Sequence, residues 1–239
     1  MQQYYIEEKA NLNETITFNK EQSHHIARVL RMKDDDVVKV VDPYQNAFLV
    51  KLKVAKEVEG ICFEKLETRV ETPFITLVQG MIKKDKWDFL IKKTCEVGVN
   101  EIIPMISSRC IVKITKEDKN KMDRYNKIAL EACEQCKRES LVHVKDPISF
   151  KEIIKNKKEL NIIAYEDADF KAAPLKSLLQ ANKDVKSILY VIGPEGGFSK
   201  EEVDTLVKEG FYCVSLGERI LRAETAAISV VNATRYEFD

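Results

Sequence analysis

Apolar residues recur at strand spacing through residues 1–71 and then alternate between strand-like and helix-like patterns. In the first stretch, residues 37–41, 47–52 and 61–64 are β-branched or aromatic runs set close together. Asp42-Pro43-Tyr44-Gln45-Asn46 supplies turn chemistry between the first two. One helix interrupts them: Ser23 is placed to cap residues 24–31, with Ile26, Val29 and Leu30 on one face and Arg28 and Arg31 on another. This pattern predicts a small β-rich module.

Thr72-Pro73 marks a break after the charged segment 64–71, and a second domain is expected over 72–239. Residues 74–80 read as a buried strand and 85–97 as a helix with Trp87, Leu90, Ile91 and Cys95 on one side, closed by Gly98. A strand at 102–106, helices at 123–139 and 149–158, and a strand at 160–165 follow. That strand ends by running into polar residues and is expected to supply a third wall of the site; a loop, 166–174, and a helix at 174–181 follow. The alternation predicts an α/β domain with a mainly parallel sheet.

Two apolar runs near the end of the chain each finish in glycine. Residues 187–192 lead into Gly193-Pro194-Glu195-Gly196-Gly197-Phe198; Ser199-Lys-Glu-Glu202 then matches a capping box whose helix stops at Gly210. Residues 211–216 form the next strand, and Gly217 opens a loop running to Ala226. Neither loop has the Gly-Lys-Ser/Thr ending of a nucleotide-phosphate loop or the Gly-x-Gly-x-x-Gly dinucleotide fingerprint. Ligands of α/β proteins gather at the carboxyl ends of strands. With Glu195, Arg222, Glu224 and Thr225 beside the glycines, the two loops are expected to build one ligand-and-chemistry site.

Composition narrows the partners. The 239 residues are 44% hydrophobic and 33% charged, with 39 basic and 39 acidic side chains, so no overall basic field marks a nucleic-acid binder. Charge is uneven, however: residues 81–127 hold 12 basic against 7 acidic residues, a local net of +5. Lys83, Lys84 and Lys86 follow one strand end, and Arg109, Lys113 and Lys116 follow the next, as an RNA-facing rim would require. His24-His25 and the lone Cys133-x-x-Cys136 lack the further ligands a metal shell needs, so no metal is expected and the two cysteines read as packing thiols. No apolar run approaches the ~20 residues of a membrane span, and Met1–Glu8 lacks the order of a signal peptide. The expected location is the cytoplasm, with all six cysteines reduced.

The loop sequences Gly193-Pro-Glu-Gly-Gly-Phe-Ser199 and Leu216-Gly-x-Arg-Ile-Leu-Arg222-x-Glu224-Thr-Ala226 resemble the signature of the RsmE family. These are SPOUT-class methyltransferases acting on N3 of a uridine in small-subunit (16S) ribosomal RNA. His24-His25-x-x-x-Val29-Leu30-Arg31, Lys93-x-x-Glu96-x-Gly98-Val99, Ile103-Pro104 and Glu131-Ala132-x-Glu134-Gln135-Cys136-x-Arg138 match further family motifs, so the resemblance extends over nearly the whole chain. Departures fall at Lys137, at Val142 or His143, and at Asp35-Asp36, all outside the glycine loops.

The resemblance implies a PUA-like β-barrel ahead of a SPOUT α/β domain with a C-terminal trefoil knot, and a homodimer. It implies S-adenosylmethionine held largely by backbone groups of Ile192, Gly193, Gly196, Gly197, Leu216, Gly217, Ile220, Leu221, Thr225 and Ala226. For chemistry on N3, Arg222 is expected to steady the developing anion, and Glu195 or Glu224 to accept the proton or orient the base. Glu224 also reads as a plain helix-N-terminal carboxylate. Arg28, Arg31, Lys83, Lys84, Arg109, Gln135 and Arg138 are the expected RNA contacts. Two alternatives stay open: a SPOUT enzyme acting on another rRNA or tRNA nucleotide, and a non-catalytic RNA-binding assembly factor.

Overall fold

The computed structural model describes residues 1–112, 114–115, 118–165 and 172–238. They form two compact units, Met1–Val70 with Cys133–Ser140, and Glu71–Ala132 with Leu141–Asp239.

The first unit is a mixed five-stranded sheet in the order β1-β3-β4-β5-β2. Its strands are β1 (Gln3–Tyr5), β2 (Thr15–Thr17), β3 (Val37–Val41), β4 (Ala47–Val54) and β5 (Val58–Leu66). β1 and β3 run parallel and the other pairs antiparallel. Alternation along the strands turns Val38, Val40, Phe48, Val50, Leu52, Val58 and Cys62 inward onto Tyr4, Phe18 and Ile26.

The helix in this unit differs from expectation. Asn19, not Ser23, is the N-cap of α1 (Lys20–His24), in a reciprocal capping box with Gln22. Ser23 lies inside the helix, where its hydroxyl donates to the Phe18 carbonyl and accepts from the Val58 N–H. A π-helical turn, His25–Val29, follows and shifts the side-chain phase. Ile26 stays buried, but Val29 and Leu30 are 58% and 41% exposed. Arg31 takes a left-handed φ of 53°, so it and exposed Arg28 do not share a regular helical face.

The end of a long helix closes this unit. α3 (Lys119–Cys136) starts four residues before the expected 123, and Lys137, at φ 61°, terminates it. The Arg138 carbonyl accepts from the Gln3 side-chain amide and the Tyr5 hydroxyl, and Lys39 pairs with Glu139 at 2.7 Å.

The second unit is an eight-stranded sheet whose main path runs β11-β13-β10-β12-β6-β7-β8, with β9 also paired to β7. Every pairing observed in it is parallel. In chain order the strands are β6 (Phe74–Gly80), β7 (Glu101–Ile106), β8 (His143–Val144), β9 (Ile148–Ser149), β10 (Leu160–Ala164), β11 (Ala173–Pro174), β12 (Ser187–Ile192) and β13 (Tyr212–Ser215). α2 (Lys84–Glu96) buries Trp87, Leu90, Ile91, Thr94 and Cys95. A 3₁₀ helix, Phe150–Asn156, stands where a longer α-helix was expected. α4 (Leu175–Ala181), α5 (Lys200–Lys208) and α6 (Ala223–Phe238) complete the unit.

Strands buried on both faces explain the continuous apolar runs of β6, β10 and β12. α6 is tied down at its far end. Thr234 and Tyr190 of β12 share a hydroxyl hydrogen bond of 2.6 Å, and buried Arg235 donates to the Gly98 carbonyl and the Asn100 side chain. Among the described residues, no helix is long and apolar enough to cross a membrane.

Candidate active site

The first glycine loop is held against a neighbouring strand. A Cβ on Gly80, the last residue of β6, would lie 2.4 Å from the Pro194 nitrogen and 2.8 Å from the Gly193 carbonyl carbon. Only glycine allows that approach. Buried Gln79 adds a polar clasp: its Nε2 donates to the Gly193 carbonyl at 3.1 Å and to the Gly80 carbonyl at 3.0 Å. Gly197, at φ 64°, donates back to the Pro194 carbonyl and closes the turn. The expected capping box is present, with Ser199 accepting from the Glu202 N–H at the head of α5.

Glu195 turns towards α2. It accepts from the Lys83 backbone N–H at 3.3 Å and from Lys86 Nζ at 3.2 Å. Burial alone would raise its pKa, but the Lys83 and Glu195 N–H groups and the Lys86 ammonium outweigh that and hold the carboxyl below its ordinary value. Arg109 reaches the same loop from the far side, donating to the Gly196 carbonyl at 3.2 Å.

The second loop leaves β13 through a Ser215 hydroxyl that accepts from the Gly217 N–H at 3.2 Å, with Gly217 at φ 115°. It ends where the Arg222 carbonyl accepts the Ala226 N–H as α6 begins. The two loops line a cavity of about 500 Å³, within the range of small-molecule pockets. Of the expected cofactor residues, Ile192, Gly193, Gly197, Leu216, Gly217, Ile220, Leu221 and Ala226 line it, and so do Glu195 and Arg222. Gly196, Thr225 and Glu224 do not. Ala164 and Tyr165 add a wall from the end of β10; residues 166–171 of the expected loop lie outside the described residues.

Glu224 sits in the first turn of α6, only 7% exposed, and its Oε2 has no hydrogen-bond partner among the described residues. Spacing along the chain carries no sign of that burial. Arg219 and Phe198, in the two glycine loops, and Tyr165, at the end of the strand expected to supply the third wall, also line the cavity, and so does Lys86, which the sequence does not place in the site. Lys86 is visible there only as one member of a basic cluster; its pairing with Glu195 joins α2 to the loop after β12.

The expected RNA contacts are divided. Lys83, Lys84, Arg109, Arg28, Arg31 and Gln135 are exposed or half-buried. Arg138 is 8% exposed and donates to Ser140, so it serves the interior of the first unit rather than its surface. Lys113 and Lys116 lie outside the described residues. Cys133 is buried, and burial followed by the nearby Cys133 raises the Cys136 thiol, as for packing thiols. Among the described residues, no group of three or more His, Cys, Asp or Glu is placed to hold a metal.

A mixed β unit precedes a parallel α/β unit whose cavity is lined by two glycine loops, and the family models that match both give the class, an RNA methyltransferase. Residues 70–235 match the RNA methyltransferase domain model and residues 18–61 the RNA methyltransferase PUA domain model. The chain is 32% identical to the ribosomal RNA small subunit methyltransferase E of Bacillus subtilis, covering 99% of this chain and 97% of that protein. It is likewise 32% identical to the same-named protein of a Buchnera aphidicola strain, covering 98% of this chain and 92% of the other. The crystal structure of the Neisseria gonorrhoeae methyltransferase E, bound to S-adenosyl methionine, has a TM-score of 0.89 at 29% identity, covering 99% of this chain and 97% of that one. The chain belongs to the ribosomal RNA small subunit methyltransferase E family.

Proposed function

We propose that this protein is an S-adenosylmethionine-dependent methyltransferase acting on N3 of a uridine in small-subunit (16S) ribosomal RNA. The observation that carries the reading is the cavity at the ends of β10, β12 and β13, with Arg222 on its wall. Its chemistry fits the cofactor. Ile192, Leu216, Ile220, Leu221 and Ala226 offer an apolar bed for a purine, and the glycines, having no side chains, let the cofactor approach the loop backbone closely. When bound, the cofactor supplies a sulfonium methyl group to a nucleophile, which needs no metal.

N3 of a neutral uridine has no available lone pair until its proton leaves. Arg222 is assigned to the developing negative charge on O2 or O4. Glu195 is a poor proton acceptor, since Lys83 and Lys86 occupy it and lower its basicity. Its role is to pin the first loop to α2. Glu224 lies off the cavity wall with its Oε2 buried and uncommitted among the described residues, so it is assigned to positioning the second loop beside the base rather than to contact with the N3 proton. Alignment of N3 behind the methyl supplies much of the remaining rate. Lys83, Lys84, Arg28 and Arg31 are assigned to RNA phosphates.

The reading includes the C-terminal trefoil knot. In its support, β13 pairs with β10 on one side of β12, yet α6 after it packs against α2, α4, β6 and β12. It also includes a homodimer, supported by a groove between α4 and α6 where Leu175 and Leu179 lie near an 88%-exposed Tyr236. The cytoplasm, where ribosomal RNA is found, is its place of work. The test is incubation of purified chain and labelled cofactor with unmethylated small-subunit rRNA, followed by nucleoside analysis. Labelled 3-methyluridine is expected; label in another nucleoside or in a ribose contradicts the reading.

A further inference from the structure

The first unit carries a groove of about 470 Å³ whose lining includes no residue of α1 or the π-helical turn, and the cofactor chemistry makes no use of it. Tyr44, Asn46, Lys9, Asn11, Lys65 and Phe48 line it. Tyr44 stands at the tip of the β3–β4 turn, 71% exposed.

The turn beneath it is rigid. Asp42 is 2% exposed, and its carboxylate accepts from the Tyr44 and Asn46 N–H groups, from the Asn46 side-chain amide and from the Ala10 N–H. These bonds tie the turn to the segment after β1. They also place the carboxylate below the surface with its oxygens engaged.

What remains at the surface is cationic and aromatic. Lys9 Nζ lies 6.0 Å from the Tyr44 ring centroid, and Lys65 Nζ lies 5.9 Å from that of Phe48. No carboxylate is among the described residues lining the groove. An exposed ring with one ammonium group over it, and a second over the neighbouring Phe48, is the chemistry that holds an unpaired nucleotide. The ring stacks on the base and the lysines meet the flanking phosphates.

We propose that this groove is a single-stranded RNA-binding surface, with Tyr44 stacking on an unpaired base and Lys9 and Lys65 contacting phosphates. The proposal rests on the rRNA reading above and extends it to a surface separate from the glycine loops and from Arg28 and Arg31. Tyr44 and Lys9 have no part in the cofactor cavity, so their variants should retain it.

The test is fluorescence anisotropy of a labelled 12-nucleotide oligouridylate and of unmethylated small-subunit rRNA, across a salt series, with cofactor affinity measured in parallel by calorimetry. Tyr44→Ala should weaken RNA binding by roughly 5- to 100-fold, the range for one base stacked on an aromatic ring, and Tyr44→Phe should restore it. Lys9→Ala with Lys65→Ala should flatten the dependence of log affinity on log salt by about 0.7 for each phosphate no longer neutralised. Unchanged cofactor affinity in each variant would show that the fold is intact. RNA affinity within twofold of the parent for both Tyr44→Ala and the double lysine variant overturns the groove proposal alone. Failure of the unaltered chain to bind either RNA overturns the rRNA reading as well.

Discussion

Replacing Gly80 by alanine tests how the cofactor loop is held. The added Cβ would lie 2.4 Å from the Pro194 nitrogen, 2.6 Å from Pro194 Cδ and 2.8 Å from the Gly193 carbonyl carbon. All three atoms are backbone or ring atoms that cannot swing aside. Since ordinary van der Waals separation begins near 3.4 Å, relief of the closest overlap requires the loop to retreat by about 1 Å, or the end of β6 to bend. A retreat of that size also lengthens the 3.1 Å bond from Gln79 to the Gly193 carbonyl beyond useful range. Overpacking of this kind costs about 1–3 kcal/mol, which is roughly 5- to 150-fold in cofactor affinity if it falls on the bound state. The assay is calorimetric titration with S-adenosylmethionine, alongside thermal unfolding with and without cofactor. The variant should keep a cooperative transition but show weaker binding and a smaller cofactor-induced rise in Tm. Parental affinity in a folded variant would refute the claim that the β6 end sets the position of the loop.

Three further outcomes are expected. Arg222→Ala should lower turnover by about 10²- to 10³-fold while the protein remains folded, as judged by its unfolding transition; near-normal turnover removes Arg222 from the catalytic assignment. Lys83→Glu with Lys84→Glu should weaken RNA binding and its salt dependence without altering cofactor affinity, because the Lys83 bond to Glu195 is made by its backbone N–H; a matching loss of cofactor affinity contradicts that separation of roles. Glu195, whose carboxyl is held below its ordinary value of 4.5, contributes its clasp fully above that pH and loses it only as the pH falls through the lowered value. Cofactor affinity measured from pH 5 to 8 should therefore carry no inflection from Glu195, and an inflection in that window abolished by Glu195→Gln would count against the assignment.

The glycine loops are legible in the sequence because their information is local. A strand ending in glycine, followed by the Ser199–Glu202 capping box, declares its geometry within a dozen residues. The helix of the first unit is less legible because two devices compete there. Asn19 and Ser23 are both good caps by type, and the π-helical turn resets the phase that makes Val29 and Leu30 look like core. Long-range polar pairings leave no signal at all. Arg138 has the side chain of a phosphate ligand but is buried in the first unit, and nothing around Arg235 in the sequence hints at its bonds to Gly98 and Asn100. Glu195 and Glu224 look equivalent in the sequence. What separates them is tertiary: one is paired with Lys86, and the other is buried with an uncommitted oxygen among the described residues.

The central claim is tested most directly by mass mapping of small-subunit rRNA from cells lacking this protein, with and without a plasmid copy. The account predicts that one uridine loses a single methyl group at N3 in the deletion and regains it with the unaltered chain but not with Arg222→Ala. An unchanged methylation map, or a methyl missing from a different base or a ribose, would contradict it.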